Sequence, residues 1–363
     1  MTEIFLERSQ KPKVSILLPN LNNHRFLEER LQTIFNQTFT DWELVVVDSY
    51  SDDGAWELIQ AFAKKEPRMR IYQAQREGVY AGINRCLELA RGNYIYIATS
   101  DDTMTSDCLT KMVNALDNHT ECDLCHCCLK IIDENGEERK DDWHSLLPAQ
   151  FFGQYLEQEH IRFAPHDAIL YCCLKAVYSS LTQLLIRKTV FDKVGLFKTE
   201  FGSQGDIEWG LRATFICNTV HLPYYLATWR RHPNQATQDS FISSSEGHKR
   251  LADMVESAFN YYKIIISDNR IKIPFNDLTF CYQLEYLKTV FREQTSFLDK
   301  LNVVINFLPV RLDVVLKCVF LYLTKKKFNC LKYAKKLIQK QGMTNSIKIV
   351  TRDLKDKPET LVV

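Results

Sequence analysis

Between residues 13 and 230, short continuous apolar runs alternate with stretches whose apolar positions recur every three or four residues. Val14-Ser15-Ile16-Leu17-Leu18-Pro19 is such a run, and its closing proline marks the end of a strand covered on both faces. After the polar turn Asn20 to Asn23, the residues Phe26, Leu27, Leu31, Ile34 and Phe35 keep helical spacing. Trp42-Glu43-Leu44-Val45-Val46-Val47-Asp48 predicts a second strand, ending on an acid and the turn 49–54. Residues 55–65 read as a helix, 70–72 as a short strand, and 80–90 as a helix closed by Arg91-Gly92-Asn93. Then Tyr94-Ile95-Tyr96-Ile97-Ala98-Thr99-Ser100-Asp101-Asp102 carries a strand straight into two hydroxyls and two adjacent carboxylates. This strand–helix alternation predicts a parallel sheet with right-handed crossovers, whose ligands sit at the C-terminal strand ends.

Further on, the pattern gives a helix at 106–116, a strand at 123–132 with a turn at 133–136, and a strand at 184–187. A short helix at 190–194 stops at Gly195, and a flexible loop at 202–206 leads into an amphipathic helix at 207–216. Strands at 219–222 and 224–229 end in the basic loop Arg230-Arg231-His232-Pro233-Asn234-Gln235, while 146–178 reads as loop. From Gly247 only helices are expected. The most apolar stretch, 301–323, is interrupted by Pro309, Arg311, Asp313 and Lys317, short of the roughly 20 apolar residues a membrane span needs. Residues 325–340 carry seven lysines, with Phe328, Leu331, Ala334, Leu337 and Ile338 on one side. That is a basic amphipathic helix, read first as a solvated surface helix and alternatively as a peripheral contact with anionic membrane. The expected organisation is an α/β unit over 1–240, a helical region over 241–350 and an unstructured charged tail over 351–363.

Composition changes this picture little. A chain of 363 residues, 45% hydrophobic and 25% charged, has ample material for a core. A net charge of +1 gives no argument for a nucleic-acid partner and leaves the oligomeric state open. The mixed, charged opening does not resemble a signal peptide, and twelve cysteines without one read as reduced thiols in the cytosol. Cys122, Cys125, His126, Cys127 and Cys128 lie within seven residues on a strand pattern, so neighbours face opposite ways and packing is favoured over a zinc site.

The chemistry-bearing candidates are acids at element ends. Asp101-Asp102 taken alone fits a divalent-metal site or a helix cap equally well. Asp48 at a second strand end places acids on the same sheet edge and favours the metal. Asp206 heads a helix, where position alone favours a cap. No Gly-x-Gly-x-x-Gly follows the first strand and no Gly-x-x-x-x-Gly-Lys-Ser/Thr occurs, which disfavours a dinucleotide-binding fold and a P-loop.

Six short motifs in order resemble family 2 glycosyltransferases over about residues 12–240. They are Val14 to Pro19, Asp48 with Ser51-x-Asp53-Gly54, Gly78…Ala81…Asn84, Ser100-Asp101-Asp102, Gly205-Asp206 with Trp209 and Leu211-Arg212, and Arg231-His232-Pro233. The resemblance implies a GT-A fold, an inverting mechanism, a nucleotide-sugar donor and Mn²⁺ or Mg²⁺. It also implies a saccharide or lipid-linked saccharide acceptor in glycan synthesis; the expected location stays the cytosol, with the inner face of the membrane as the alternative that the 325–340 helix raises. By matching position, Pro19, Leu21 and Asp48 resemble the base pocket and Arg76 a basic residue near the donor nucleotide; Gly78, Asn84, Ser100, Asp101 and Arg231 join the donor-binding set. Asp101, Asp102 and His232 resemble the metal site, and Asp206 the catalytic base. The residue types suit that chemistry on their own: a hard cation held by carboxylates offsets the charge of a diphosphate leaving group, and a separate carboxylate takes the acceptor's proton.

Two positions depart from the family pattern. Thr99 stands where an acid is common, and Gly205 replaces the acid before the base. A sugar-1-phosphate nucleotidyltransferase is a rival reading, but it wants a glycine-rich basic loop after the first strand. A second rival is a nucleotide-sugar-binding scaffold without turnover.

Overall fold

The computed structural model describes residues 11–140, 142–233, 235, 244–266, 271–294, 296–343 and 346–350. The expected tail at 351–363 lies outside the described residues.

The N-terminal half follows the hydrophobic pattern closely. Its elements are β1 (Val14–Asn20), α1 (His24–Phe35), β2 (Trp42–Asp48), α2 (Ala55–Ala63), β3 (Met69–Gln73), α3 (Val79–Leu89) and β4 (Tyr94–Ile97). Every residue of β1 and β2 is buried, as continuous apolar runs require of strands covered on both faces. After α4 (Cys108–Asn118) and β5 (Leu124–Ile132) come α5 (Asp142–Ser145), α6 (Leu147–Phe152), β6 (His160–Arg162), α7 (His166–Leu174), β7 (Leu184–Arg187) and α8 (Thr189–Val194). They are followed by α9 (Gly205–Ile216), β8 (Thr219–Arg230), helices α10 (Ser245–Ile265), α11 (Phe275–Glu293), α12 (Phe297–Phe307), α13 (Leu312–Thr324) and α14 (Cys330–Gln341), and β9 (Ile347–Ile349).

The strands form one sheet in the order β3-β2-β1-β4-β7-β5-β8-β6-β9. The first four pair in parallel; β7 then runs antiparallel to both β4 and β5, β5 and β8 are parallel, and β6 is antiparallel to β8 and β9. The chain moves from β1 outward through β2 and β3, then returns to the other side of β1 for β4. That reversal opens a crevice at the C-terminal ends of β1 and β4.

Three expectations change. Residues 146–178 are not a loop: they hold α6, β6 and α7, and all nine residues of α7 are buried. The C-terminal region is not purely helical, because β9 pairs with β6 and extends the sheet. In the 325–340 segment a helix begins only at Cys330, and its Ala334, Leu337 and Ile338 are buried in the main core. The apolar face of that helix is thus used internally. Residues 301–323 split at Pro309 into α12 and α13, and among the described residues no helix is long and apolar enough to cross a membrane.

Cys122, Cys125, Cys127 and Cys128 pack inside the sheet with thiols that burial pushes up, well away from thiolate character. Beside them strand register aligns His126 of β5, His221 of β8 and His160 of β6 in one row. The His126 and His221 Nδ1 atoms lie 2.9 Å apart, and the His160 and His221 ring centroids 4.7 Å apart. The Arg162 guanidinium donates to His160 Nε2 at 3.1 Å and to both Asp167 oxygens at 2.9 Å. Burial holds all three imidazoles far below the usual histidine range, His160 at about 3.

Candidate functional site

A cavity of about 380 Å³ occupies the crevice beyond β1 and β4, a size suited to a small-molecule ligand. Its wall takes Pro19, Asn20 and Leu21 from the end of β1, Gly78 and Tyr80 from the start of α3, and Thr99 to Asp102 from the turn after β4. Ser180, Trp229, His232 and, from the first turn of α9, Asp206 complete the other side. Gly78 sits at φ +93°, a conformation that glycine adopts freely, and lets the chain turn into α3 against the cavity.

The two adjacent acids have different surroundings. Asp101 faces the cavity, with its Oδ2 3.1 Å from His232 Nε2. Asp102 is buried: its Oδ1 accepts from the Arg230 backbone N–H at 2.7 Å, and its Oδ2 from the Thr99 and Ser180 hydroxyls. Burial and the neighbouring Asp101 charge push Asp102 up to about 7. Arg230, 2% exposed, ties the turn together by donating from Nε to the Asp101 carbonyl at 2.7 Å and from Nη2 to Glu29 at 2.6 Å. Its guanidinium also lies 4.9 Å from the Phe26 ring centroid.

Asp206 is partly buried, and burial raises its proton affinity. Its Oδ1 accepts from the Ile207 N–H at 2.9 Å, and the Tyr80 hydroxyl, which donates to the Ser203 carbonyl at 3.4 Å, lies beside the same carboxylate. The Tyr80 ring explains Gly205. A Cβ at position 205 would come within 2.6 Å of Tyr80 Cδ2 and 2.8 Å of Cε2, so no acid fits there. The tyrosine fills the space that a side chain before the base would take.

Of the residues singled out from sequence, Pro19, Leu21, Gly78, Ser100, Asp101, Asp102, Asp206 and His232 line this cavity. Four do not. Asp48 is fully buried and accepts from Asn20 Nδ2 at 2.8 Å, Ser51 N–H at 2.9 Å and Ser51 Oγ at 2.6 Å. Its oxygens are taken by the chain itself, one layer behind the wall. Arg76 reaches the Ser49 and Tyr50 carbonyls and pairs with Asp52 at 2.9 Å, at the outer edge. Asn84 exchanges two hydrogen bonds with the Phe197 backbone, at 2.8 and 3.0 Å, and fixes α3 to the segment before α9. Arg231 turns outward over Trp229, 4.7 Å from the ring centroid, and lies 3.5 Å from Asp142.

Asn20, Tyr80 and Arg230 carry site roles that motif spacing did not reveal. Asn20 is 3% exposed and lines the cavity; its Nδ2 is used on Asp48, whereas its Oδ1 has no partner among the described residues. A buried acceptor without a donor is costly unless a ligand or water supplies one.

Asp101 Oδ2 and His232 Nε2 form a carboxylate–imidazole pair on the cavity wall. Asp102 is committed to chain donors, and no group of three His, Cys, Asp or Glu side chains is arranged for a metal among the described residues. The pair therefore fits a hard divalent cation only if a ligand's oxygens complete its shell, the usual arrangement for Mg²⁺ on phosphates.

Residues 15–176 match the model of glycosyl transferase family 2. An uncharacterized glycosyltransferase, MJ1057, of Methanocaldococcus jannaschii is 28% identical over 185 residues, covering 50% of this chain and 63% of that protein. The chain thus spans less than two thirds of that relative's length. Residues 1–349 of S. aureus TarS, solved in complex with UDP-GlcNAc, match with a TM-score of 0.54 at 12% identity, over 87% of this chain and 93% of that one. The mannosyltransferase PcManGT from Pyrobaculum calidifontis, in complex with GDP-Man and Mn²⁺, gives 0.50 at 14% identity, over 92% and 88%. These likenesses show the fold, that of the GT-A glycosyltransferases with a helical C-terminal region.

Proposed function

We propose that this cavity, framed by residues 15–176 that match the model of glycosyl transferase family 2, transfers a sugar, with inversion, from a nucleotide-sugar donor to a hydroxyl of a saccharide or lipid-linked saccharide acceptor in glycan biosynthesis. The observation that carries this reading is the presence of Asp101 with His232 and, separately, Asp206 in the lining of one cavity. One pair suits the leaving group and the other acid suits the attacking group.

The nucleotide base lies against Pro19, Leu21 and Ser49, where the unpartnered Asn20 Oδ1 accepts an N–H from the base edge. Asp48 acts through Asn20, holding its amide in register for that contact. The diphosphate runs past the amino end of α3, whose free N–H groups favour an anion, toward Asp101 and His232. A cation held there by Asp101 and His232 would offset the charge that builds on the leaving diphosphate. Asp102 and Arg230 act through Asp101, keeping the turn in place. The TarS complex with UDP-GlcNAc and the PcManGT complex with GDP-Man and Mn²⁺ support this class of donor and cation.

Asp206 takes the proton of the acceptor hydroxyl as that oxygen bonds to the anomeric carbon. The bond from the anomeric carbon to the phosphate oxygen breaks on the opposite face, the nucleoside diphosphate departs and the configuration inverts. The raised proton affinity of Asp206 makes it a better base than an exposed aspartate, and the Ile207 N–H holds its orientation. A cytosolic site of action is supported by the free thiols of all twelve cysteines.

Asp206→Asn tests this. A thermal-shift panel of nucleotide sugars, with and without Mn²⁺, first identifies the donor. The variant then binds that donor with unchanged affinity while transfer falls by about 10²–10⁴. Unchanged transfer removes Asp206 from the base role; a wild-type protein that no nucleotide sugar stabilises overturns the whole reading.

A further inference from the structure

Helix α13 is apolar on two sides. Val314, Val315, Cys318 and Leu321 face inward onto Phe280, Leu284 and Leu287 of α11, forming a small core apart from the main one. Leu312, Leu316, Val319, Phe320 and Leu323 recur at helical spacing on the other side and are 41–74% exposed. Leu298, Leu301, Ile305 and Leu308 trace a second exposed stripe along α12, and Val310 in the connecting turn is 72% exposed. Two stripes joined by an apolar turn exceed the scattered exposure of an ordinary surface.

The charge around this hairpin is lopsided. Residues 297–340 hold ten of the chain's 46 Lys and Arg but only two of its 45 Asp and Glu, so this segment carries +8 in a chain of net +1. Lys325, Lys326 and Lys327 follow directly on the exposed stripe of α13 and are themselves exposed. A cleft of about 720 Å³ beside the hairpin is lined by Lys288, Arg292, Lys300 and Lys326, with Glu285 its one acid.

From these placements we infer that the α12–α13 hairpin docks on an anionic lipid surface, its apolar stripes entering the headgroup–acyl boundary and its lysines pairing with lipid phosphates. Apolar stripes bordered by cations are the pattern that binds such an interface. A second copy of the chain is disfavoured as the occupant, because a two-fold contact would set one +8 segment against another. The segment differs from the 325–340 helix suspected from sequence, whose apolar side is spent in the core. The inference does not depend on the transfer reaction, since its test needs no turnover.

Flotation of the full chain with phosphatidylglycerol–phosphatidylcholine vesicles, against phosphatidylcholine alone, provides that test. Binding is expected to the anionic vesicles at low ionic strength and to weaken with salt. Lys325→Gln/Lys326→Gln/Lys327→Gln loosens it on the order of a hundredfold, at about fivefold per lysine. Leu316→Glu/Phe320→Glu, at exposed positions where the fold is unaffected, abolishes it. Failure to float with anionic vesicles overturns the inference. So does undiminished binding of the Leu316→Glu/Phe320→Glu chain, or a wild-type dimer in sedimentation analysis that those substitutions dissociate without any vesicle binding.

Discussion

The histidine row of β5, β8 and β6 makes the fold sensitive to mild acid. In the unfolded chain His126, His160 and His221 take up protons near the ordinary value of about 6.5, whereas in the folded protein burial keeps them neutral far below it. Stability is fully present above that value and is lost as pH falls from it toward the folded values, about 3 for His160. At pH 5 each unfolded imidazole has gained ~2 kcal/mol from protonation, ~6 kcal/mol for the three. Asp102 works the other way. Held up to about 7, it takes its proton in the folded state first, which returns ~2 kcal/mol between pH 7 and 5. The net loss of ~3–4 kcal/mol is a large share of a typical stability of ~5–15 kcal/mol. Urea unfolding followed by tryptophan fluorescence at pH 7, 6 and 5 measures this directly. Removing one imidazole isolates the cause: His160→Gln shallows the stability–pH slope by up to ~1.4 kcal/mol per pH unit, whatever it does to stability at pH 7. A wild-type stability that is flat from pH 7 to 5, or a slope unchanged in His160→Gln, refutes the reasoning.

Two further outcomes follow from the site. Asp101→Asn weakens Mn²⁺ binding by calorimetry about tenfold or more with little change in Tm, whereas Asp102→Asn costs ~1–3 kcal/mol because its amide has one oxygen to accept from the Arg230 N–H and presents an NH₂ where the Thr99 and Ser180 hydroxyls donate; the opposite pattern would reverse the roles given to the two acids. Gly205→Glu lowers Tm and donor-dependent transfer through overlap with Tyr80, and the loss in the Gly205→Glu/Tyr80→Ala chain falls short of the sum of the two single losses by ~1–3 kcal/mol. Strictly additive effects of the two substitutions would show that the ring is not the obstacle.

What the sequence made legible was whatever depends on backbone position. The apolar runs at 14–19 and 42–48 had to be buried strands, and acids after strand ends had to sit near the crevice, so Asp101 was found, whereas Asp206, at the head of α9, was found by the motif it resembles. Side-chain direction is a different matter. Asp48 also ends a strand, but Asn20 and Ser51 claim its oxygens, and nothing in the spacing distinguishes a wall residue from one a layer behind it. Arg230 is the last residue of β8 and points into the turn, while Arg231 follows the strand and turns outward; the motif drew the eye to the outer one. Helix α7 was read as loop because beyond His166 and Asp167 it is apolar all round, and a helix buried on every side offers no contrast for periodicity to detect.

The pairing of β9 with β6 sets an order of events during synthesis. Ile161 and Lys348 are partners roughly 190 positions apart, which a ribosome adding ~5–20 residues per second covers in ~10–40 s. For that interval the outer edge of β6 has no strand beside it, and an open edge is a template for pairing with other chains. The emerging polypeptide therefore has reason to recruit a chaperone over residues 160–162. A nascent chain stalled before Ile347 should remain bound to one, and the full chain, once off the ribosome and with β9 paired to β6, should not.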